Sequence, residues 1–308
     1  MISRRQFLHR SAAGIVAART LASRTRRLEA APLGFPIGGQ VYPHRQRIQD
    51  GDFAGLLKDM KDLGIGSVEL DSPGYAFAAS LADGKQTRRI IDDHGLQCPS
   101  VHFTMKELRT TLPTAIAWAK DVGAGQVSTA SLGGKSTNGA TTLDEVKRAA
   151  DEFNGIAADV AKAGLLTTLH NETFEHSRIE DGRLTYHVLF DLLDPKTVFM
   201  QFQMSSVPIT GDPVGLFTKY PNRFRSLHLQ GVDLSAGRGE GAAAAAVPPV
   251  GGRQAAAGRG PQLAVGHDSL DWPKIFAAAK IGGITNYFVE QSWDLMVQSV
   301  AYLKTLNG

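Results

Sequence analysis

The sequence contains a single cysteine, Cys98, among its 308 residues. One cysteine excludes an intrachain disulfide and any metal site built from several thiolates, so we expect Cys98 to be a buried structural residue. Beyond the N-terminus no stretch is long and apolar enough to span a bilayer. No Gly-rich phosphate fingerprint is present either, since Ile37-Gly38-Gly39-Gln40 is only a weak echo of one. These absences disfavour a disulfide scaffold, a membrane-spanning protein and a nucleotide-binding sheet.

The excess of basic over acidic residues is confined to the first 31 residues. Residues 1–31 hold seven of the 33 basic residues and one of the 30 acidic residues, which leaves 26 basic and 29 acidic residues in 32–308. A domain without a basic stripe is not expected to bind nucleic acid. The opening Ser3-Arg4-Arg5-Gln6-Phe7-Leu8, followed by small apolar residues, is close to the twin-arginine export signature. We therefore predict a leader over 1–31 and a periplasmic protein, with a disordered basic tail as the alternative.

Eight short apolar runs of β type alternate with amphipathic helical patterns over residues 32–308. Eight such units in this length predict an α/β protein, a single-domain (β/α)8 TIM barrel. The predicted strands are Gly34–Tyr42, Ser67–Leu70, Pro99–Phe103, Gln126–Ala130, Leu165–His170, Val198–Met204, Arg225–Leu229 and Asn286–Glu290.

Helix signals separate these runs. Apolar residues from Phe53 to Leu63 repeat at helical spacing, and Gly64 supplies the stop. The segment Thr142 to Glu145 predicts a capping box at the start of a long helix. Asp212-Pro213 and Asp271 with Pro273 predict two further helix starts.

Residues 235–261 break the alternation because they consist largely of Ala, Gly, Pro and Arg. Such a composition buries too little apolar surface to offset the entropy of ordering, so it predicts a loop after strand seven, on the active-site face of the barrel. The loop is interpreted either as a low-complexity insertion or as a substrate lid.

Polar side chains stand at the carboxyl ends of the predicted strands, where a barrel carries its active site. In Leu227-His228-Leu229 a polar residue lies between apolar neighbours, so it faces one side of the strand while they face the other. Buried charges need partners, and a single strand-end histidine is more often a structural residue held by hydrogen bonds than a metal ligand. The joint pattern on strands five to eight predicts a metal site. The strand-end residues are Gln40, Tyr42, Glu69, Asp71, His102, Ser128, Thr129, His170, Asn171, Glu172, Gln201, Gln203, His228, Gln230, Glu290 and Gln291.

Several of these segments resemble the motifs of one family of barrels. The run LLTTLHNETFE over 165–175 resembles its strand-five HN-x-x-FE motif. Asp212-Pro213, Lys219-Tyr220-Pro221, Arg223 and His228-Leu229 resemble its DP…KYP-x-R…HL block, and 271–272 with 287–291 resemble its DW…YFVEQ ending. The family is the sugar phosphate isomerase/epimerase group, also described as xylose isomerase-like or AP-endonuclease-2-like barrels. The resemblance runs from about residue 34 to the C-terminus.

The resemblance implies one divalent metal ion held by side chains of strands five to eight. His170, His228 and Glu290 fill three of the four ligand positions, and Gln203 stands where the family has an aspartate. An amide oxygen binds a cation but adds no charge, so we expect weak binding and a preference for Mn, Co or Zn over Mg. Glu172 is a candidate compensating ligand or nearby base. The alternative is that Gln203 marks a lost metal site.

The resemblance further implies proton transfer next to a carbonyl, through an enediolate. The expected catalytic residues are Glu290, Glu172 and His102, and the expected substrate-binding residues are Gln40, Glu69, Asn171 and Gln230. No Arg/Lys pair at the strand ends indicates phosphate recognition, which favours a neutral sugar or keto-glycoside as the substrate. The prediction is a metal-dependent sugar isomerase or epimerase.

Other functions stay open on the sequence. The same enolate permits β-elimination or hydration, as in branches of the family that act on 3-keto-glycosides. Gln203 and the segment 235–261 slightly favour a non-catalytic exported barrel that binds carbohydrate. Metal-dependent phosphodiester cleavage would need more ligands and a basic groove, which the acidic balance of residues 32–308 disfavours. The sequence leaves a homo-oligomer open.

Overall fold

Eight parallel strands close into a barrel in the order of the sequence, with β1 pairing with both β2 and β8. The computed structural model describes residues 31–75, 78–234 and 262–306. The predicted α/β, single-domain (β/α)8 barrel is confirmed. The strands are β1 (Gly38–Gln40), β2 (Ser67–Asp71), β3 (Gln97–Phe103), β4 (Gln126–Thr129), β5 (Leu166–His170), β6 (Val198–Gln203), β7 (Phe224–Leu229) and β8 (Asn286–Val289).

Helices surround the barrel and lie in the connections between its strands. The α-helices are α1 (Arg45–Gln49), α2 (Phe53–Leu63), α3 (Gly84–Asp93), α4 (Met105–Thr110), α5 (Leu112–Asp121), α6 (Leu143–Lys162), α7 (Thr185–Leu192), α8 (Val207–Thr210), α9 (Pro213–Lys219), α10 (Trp272–Gly282) and α11 (Trp293–Leu303). Short 3-10 helices cover Pro32–Gly34, Tyr42–His44, Ala79–Leu81, Thr173–His176 and Met204–Ser206. Within the part of the chain that the structure describes, none of the helices has the length and apolar character needed to cross a membrane.

The first strand is shorter than the sequence predicts. The prediction Gly34–Tyr42 is wrong at both ends, because only Gly38–Gln40 pair with neighbouring strands. Pro36 lacks the N–H that a sheet ladder needs, and Pro43 occupies an early position of the 3-10 helix that begins at Tyr42. The other seven predicted strands agree with the structure to within two residues at each end.

Helix caps decide where several helices begin. Asp212 accepts hydrogen bonds from the backbone N–H of Val214 and Gly215, each at 3.0 Å, as its place before proline predicts. Thr142 accepts from Glu145 N at 3.1 Å, but only half of the predicted capping box forms.

The second half is missing because the Glu145 carboxylate instead accepts from Lys135 N and pairs with Arg148. A complete capping box forms at Thr104 and Glu107, at the start of α4. Both boxes have the same Thr-x-x-Glu spacing, so the difference lies in which other donors surround the glutamate.

Apolar side chains fill the layer between strands and helices. The α2 residues that were predicted to form its inner face, including Leu56, Leu57 and Met60, are fully buried, and the helix ends at Gly64 with φ 98°. Cys98 is buried, as predicted, and burial raises the pKa of its thiol to about 12. An inert structural role follows for this thiol.

The centre of the barrel is polar instead of apolar. The Gln126 side-chain amide lies within hydrogen-bond distance of four hydroxyl oxygens, those of Ser100, Ser128, Thr168 and Ser226, at 3.1, 3.1, 3.0 and 2.9 Å. The Ser100 hydroxyl also donates a hydrogen bond to the buried carboxylate of Glu69. The hydroxyl layer therefore lies directly beneath the charged groups of the barrel.

Two predicted segments lie outside the described residues: the leader 1–31, apart from Ala31, and the loop 235–261. Both stay predictions.

Barrel closure depends on a residue without a side chain at Gly38. A Cβ there would overlap the backbone oxygen of Tyr287 and the ring of Phe288 on β8. We predict that Gly38→Ala lowers the free energy of unfolding by about 1–3 kcal/mol, the usual cost of overpacking, measured by urea denaturation. The control is Gly125→Ala, where no atom approaches within 4 Å and a change below about 0.5 kcal/mol is expected. Equal stability of the two variants would contradict this account of closure.

Candidate functional site

The carboxyl ends of the strands surround a cavity of about 70 Å³. Alternation along the strands turns part of the polar strand-end side chains into this opening. The cavity is lined by Gln40, Tyr42, Asp71, Tyr75, His102, Ala130, His170, Glu172, His228 and Glu290. Of the predicted site residues, six therefore lie on the cavity wall, and Glu69, Asn171, Gln203 and Gln230 do not.

Three buried imidazoles meet at the base of this cavity. The ring centres of His170 and His228 are 4.5 Å apart, and His102 lies 5.6 Å from the first and 5.3 Å from the second. Burial and the neighbouring positive charge of His228 lower the pKa of His170 to about 4. His170 is therefore neutral at physiological pH, which is the form that binds a metal ion.

His228 lies between two carboxylates. Its Nε2 hydrogen-bonds to Glu69 Oε2, and its Nδ1 is 3.2 Å from Glu290 Oε2. Burial alone would lower the pKa of His228, but the charges of Glu69 and Glu290 outweigh it and raise the pKa to about 10. Without a metal ion, His228 is a charged imidazolium that neutralises part of the acidic pair.

Glu69 is fully buried beneath the cavity. Its Oε1 accepts from Ser100 Oγ at 2.5 Å and from Gln201 Nε2 at 2.8 Å, while Oε2 faces His228. Burial would raise the pKa of Glu69, but His102 and His228 hold it well below the usual range. These contacts occupy both oxygens, so the position of Glu69 favours orienting His228 over the predicted contact with substrate.

Glu290 is held from two sides by amides. Gln203 Nε2 donates to Glu290 Oε2 at 2.8 Å, and Gln230 Nε2 donates to the same oxygen at 2.9 Å and to the Glu290 backbone oxygen at 2.9 Å. Burial would raise the pKa of Glu290, but His228 and then His170 lower it. Glu290 is thus kept ionised. Gln230 contacts Glu290 but does not line the cavity, so its geometry favours holding Glu290 over the predicted contact with substrate.

Two groups of three side chains bring their ligand atoms within 4.8 Å of one another in the described residues: Glu69, His102 and His228, and His170, His228 and Glu290. In the first group Glu69 is already saturated by hydrogen bonds. The second group agrees with the predicted ligands, and a cation there would replace the proton of His228 Nδ1.

The oxygen of Gln203 completes the case for a cation. Gln203 Oε1 is buried and has no hydrogen-bond partner among the residues that the structure describes. A buried acceptor without a donor is costly, and a cation close to Glu290 would satisfy it. The residues present therefore fit a divalent ion with two imidazoles and one carboxylate, and the unpartnered oxygen of Gln203 is the candidate fourth ligand.

Of the remaining predicted residues, Glu172 and His102 line the cavity, and Asn171 contacts β6 instead. Glu172 lies on the wall, with Oε1 3.7 Å from His170 Nε2 and 29% of its side chain exposed. His102 is on the wall, and its Nε2 is 2.6 Å from Gln201 Oε1. Asn171 is fully buried, and its Oδ1 accepts from Gln203 N at 2.7 Å, so its geometry favours positioning β6 over the predicted substrate contact.

Four wall residues were not predicted as catalytic, substrate-binding or metal-binding residues: Tyr42, Asp71, Tyr75 and Ala130. Asp71 follows Glu69 by two positions, so alternation along β2 gives both the same face, and this signal was available in the sequence. Tyr75 lies in the following loop, 6.3 Å from the His102 ring and 5.5 Å from the Tyr42 ring. Nothing in the sequence pattern placed Tyr75 at the cavity, because it lies beyond a strand end.

Similarity to known proteins was found at the level of structure alone. No protein family model and no curated protein matches the chain. A sugar phosphate isomerase/epimerase from Parabacteroides distasonis is 21% identical with a TM-score of 0.66, over 91% of this chain and 97% of that one. A probable 3-DHS dehydratase involved in petrobactin synthesis in Bacillus anthracis is 10% identical with a TM-score of 0.65, over 87% and 98%.

A third solved structure, a xylose isomerase-like TIM barrel protein from Mycobacterium smegmatis in complex with magnesium, is 15% identical with a TM-score of 0.59, over 88% of this chain and 96% of that one. The chain therefore has the fold of the sugar phosphate isomerase/epimerase and xylose isomerase-like barrels, as its motifs predicted.

The role of Glu69 can be tested through metal affinity. The Glu69→Gln side chain has one acceptor oxygen in place of two. Its amide N–H groups would face Ser100, Gln201 or His228, which hydrogen-bond to the carboxylate in the unmodified protein. We predict that Co²⁺ binds this variant roughly 10- to 100-fold more weakly, the usual cost of losing the partner of a metal-bound histidine. Calorimetric titration measures the affinity, and circular dichroism checks that the variant is folded. An unchanged affinity in a folded variant would contradict the orienting role.

Proposed function

We propose that the chain is a metal-dependent sugar isomerase or epimerase, acting on a neutral ketose or keto-glycoside by proton transfer through an enediolate. The observation that carries the proposal is the convergence of His170, His228 and Glu290 beside a cavity that also exposes the Glu172 carboxylate. A bound divalent ion would polarise the carbonyl and the adjacent hydroxyl of the sugar. Mn, Co or Zn fits the two imidazoles and single carboxylate better than Mg.

The side chains divide the work in a way that their contacts support. Glu290 accepts from two amides, which suits an ionised anchor for the metal ion more than a mobile base. Glu172 lies on the open side of His170 and is partly exposed, which suits a group that takes a proton and exchanges it with solvent. His102 also lines the cavity, and because its Nε2 is paired with Gln201 Oε1, we assign contact with a sugar hydroxyl to its other ring nitrogen, Nδ1.

A lyase or hydratase acting on 3-keto-glycosides is the second candidate. The observation that favours it is the similarity to a probable dehydratase of the same fold. Elimination uses the same enolate and differs in whether a leaving group on the neighbouring carbon is expelled. Products therefore separate the two: a lyase releases an unsaturated sugar, and an epimerase returns a saturated stereoisomer.

Export to the periplasm belongs to the same proposal. The support for export is the pair Arg4 and Arg5 in the N-terminal segment. A periplasmic location favours a sugar without phosphate as the substrate.

Solvent exchange tests the proposed chemistry. In D2O with Mn²⁺, the protein should incorporate deuterium at the carbon next to the carbonyl of D-fructose, L-ribulose, D-xylulose or a 3-keto-glucoside, as followed by proton NMR. Glu172→Gln removes the base and should slow incorporation roughly 10²- to 10⁴-fold, with the metal ion still bound.

The control is Glu145→Gln, on the outer helix α6, which should exchange at the rate of the unmodified protein. Binding of these sugars without any exchange would support a non-catalytic carbohydrate-binding barrel and contradict the proposal.

A further inference from the structure

Asp71 is a buried acid on the cavity wall to which neither the metal site nor the proton transfer by Glu172 gives a role. It ends β2 and is 1% exposed, yet it lines the cavity together with Gln40 and Tyr75. The strands β2 and β5 are three positions apart in an eight-stranded ring, so Asp71 and Glu172 approach the cavity from different sides. The candidate metal ligands come from the ends of β5, β6, β7 and β8, and none of them is on β2.

The hydrogen bonds of Asp71 leave one of its two carboxylate oxygens without a partner in the described part of the chain. Gln40 Nε2 donates to Asp71 Oδ1 at 3.2 Å, and the Gln40 Oε1 atom accepts from Tyr42 N, so the Gln40 amide has a fixed orientation. Asp71 Oδ2 is buried and has no hydrogen-bond partner in the described part of the chain. A bare carboxylate oxygen in this position is costly, whereas a protonated Oδ2 is a donor that a substrate can use.

The charges around Asp71 favour the protonated form near neutrality. The pKa of Asp71 is raised to about 7, mainly by burial and also by the charges of Glu69 on the same strand and Glu290 just after β8. His102 on β3 and the hydrogen bond from Gln40 on β1 act in the opposite direction. A group with this pKa can both give and take a proton at physiological pH.

We infer that Asp71 is the second proton-transfer group of the site, acting on the face of the substrate opposite to Glu172, which makes the enzyme a two-base epimerase of ketoses. The inference rests on the proposed function and narrows it, since an isomerase needs only one group that shuttles the proton.

Every proton in the proposed epimerisation is accounted for. The Glu172 carboxylate takes the proton from the carbon next to the carbonyl, and the electron pair of that C–H bond becomes the enediolate. Asp71 Oδ2–H then delivers its proton to the other face of the same carbon, forming the new C–H bond. The cycle ends with Glu172 protonated and Asp71 ionised, and proton exchange with water restores both.

Infrared spectroscopy of the protein without substrate tests whether Asp71 carries the proton. The carboxylic-acid C=O band of Asp71 should disappear as the pH rises through about 7, and Asp71→Asn should remove that band.

Glu175 supplies the matched control. It is fully buried away from the cavity, accepts from Leu132 N at 2.9 Å and has a pKa raised to about 8 by burial. Glu175→Gln should remove a different band and leave the Asp71 band unchanged. Absence of a band that Asp71→Asn removes would mean that Asp71 is ionised throughout, which would overturn the inference whatever the enzyme does.

Stereochemistry tests the role in the reaction. Asp71→Asn keeps an acceptor for Gln40 and mimics the neutral acid in shape, but it has no acidic proton. With whichever of D-fructose, L-ribulose or D-xylulose the unmodified protein labels fastest in D2O, this variant should still incorporate deuterium but form the epimer roughly 10²- to 10⁴-fold more slowly.

The outcomes separate the inference from the proposed function. Unchanged epimer formation, or equal loss of labelling and epimer formation, would contradict the assignment of Asp71 to the second face. Failure of the unmodified protein to label any sugar would contradict the proposed function itself, while the infrared result still decides the protonation of Asp71.

Discussion

The negative charge of Glu69 is buried inside the barrel, and the arrangement of the side chains around the cavity depends on how this charge is compensated. A lone carboxylate in this position would be expensive, and the structure compensates it with Ser100, Gln201 and His228. The pairing fixes the His228 ring so that Nδ1 faces Glu290. Glu290 is in turn held by the amides of Gln203 and Gln230, so one buried charge orders a chain of contacts that ends at the cavity.

The fold was largely predictable because its information is local. Eight apolar runs separated by helix caps and stops are visible in the sequence, and a closed barrel is the arrangement that buries all of them. Boundaries were less predictable. The first strand was overextended because it included Pro36 at one end and Tyr42, which begins a 3-10 helix, at the other. Only one of the two hydrogen bonds of the capping box at Thr142 forms. The Glu145 carboxylate instead binds Lys135 N, 10 residues away, and Arg148, three residues away.

The ring of polar strand ends was predictable for the same reason, but the depth of each side chain was not. Alternation tells which face of a strand a residue occupies, and it gives Glu69 and Asp71 the same face. It does not tell that Glu69 lies below the cavity while Asp71 lines it, since this depends on the stagger of neighbouring strands. The oxygen of Gln203 illustrates the same limit: its environment exists only after β6, β7 and β8 are assembled.

The central claim is that His170, His228 and Glu290 hold a divalent metal ion, and elemental analysis of the purified protein tests it most directly. After incubation with Mn, Co or Zn and removal of excess ion, the account predicts one ion per chain. The His228→Ala, Glu290→Ala double variant should retain none, and circular dichroism checks that the loss of the ion is not a loss of the fold. An unmodified protein that binds no ion under these conditions would contradict the account and identify Gln203 as the mark of a lost site.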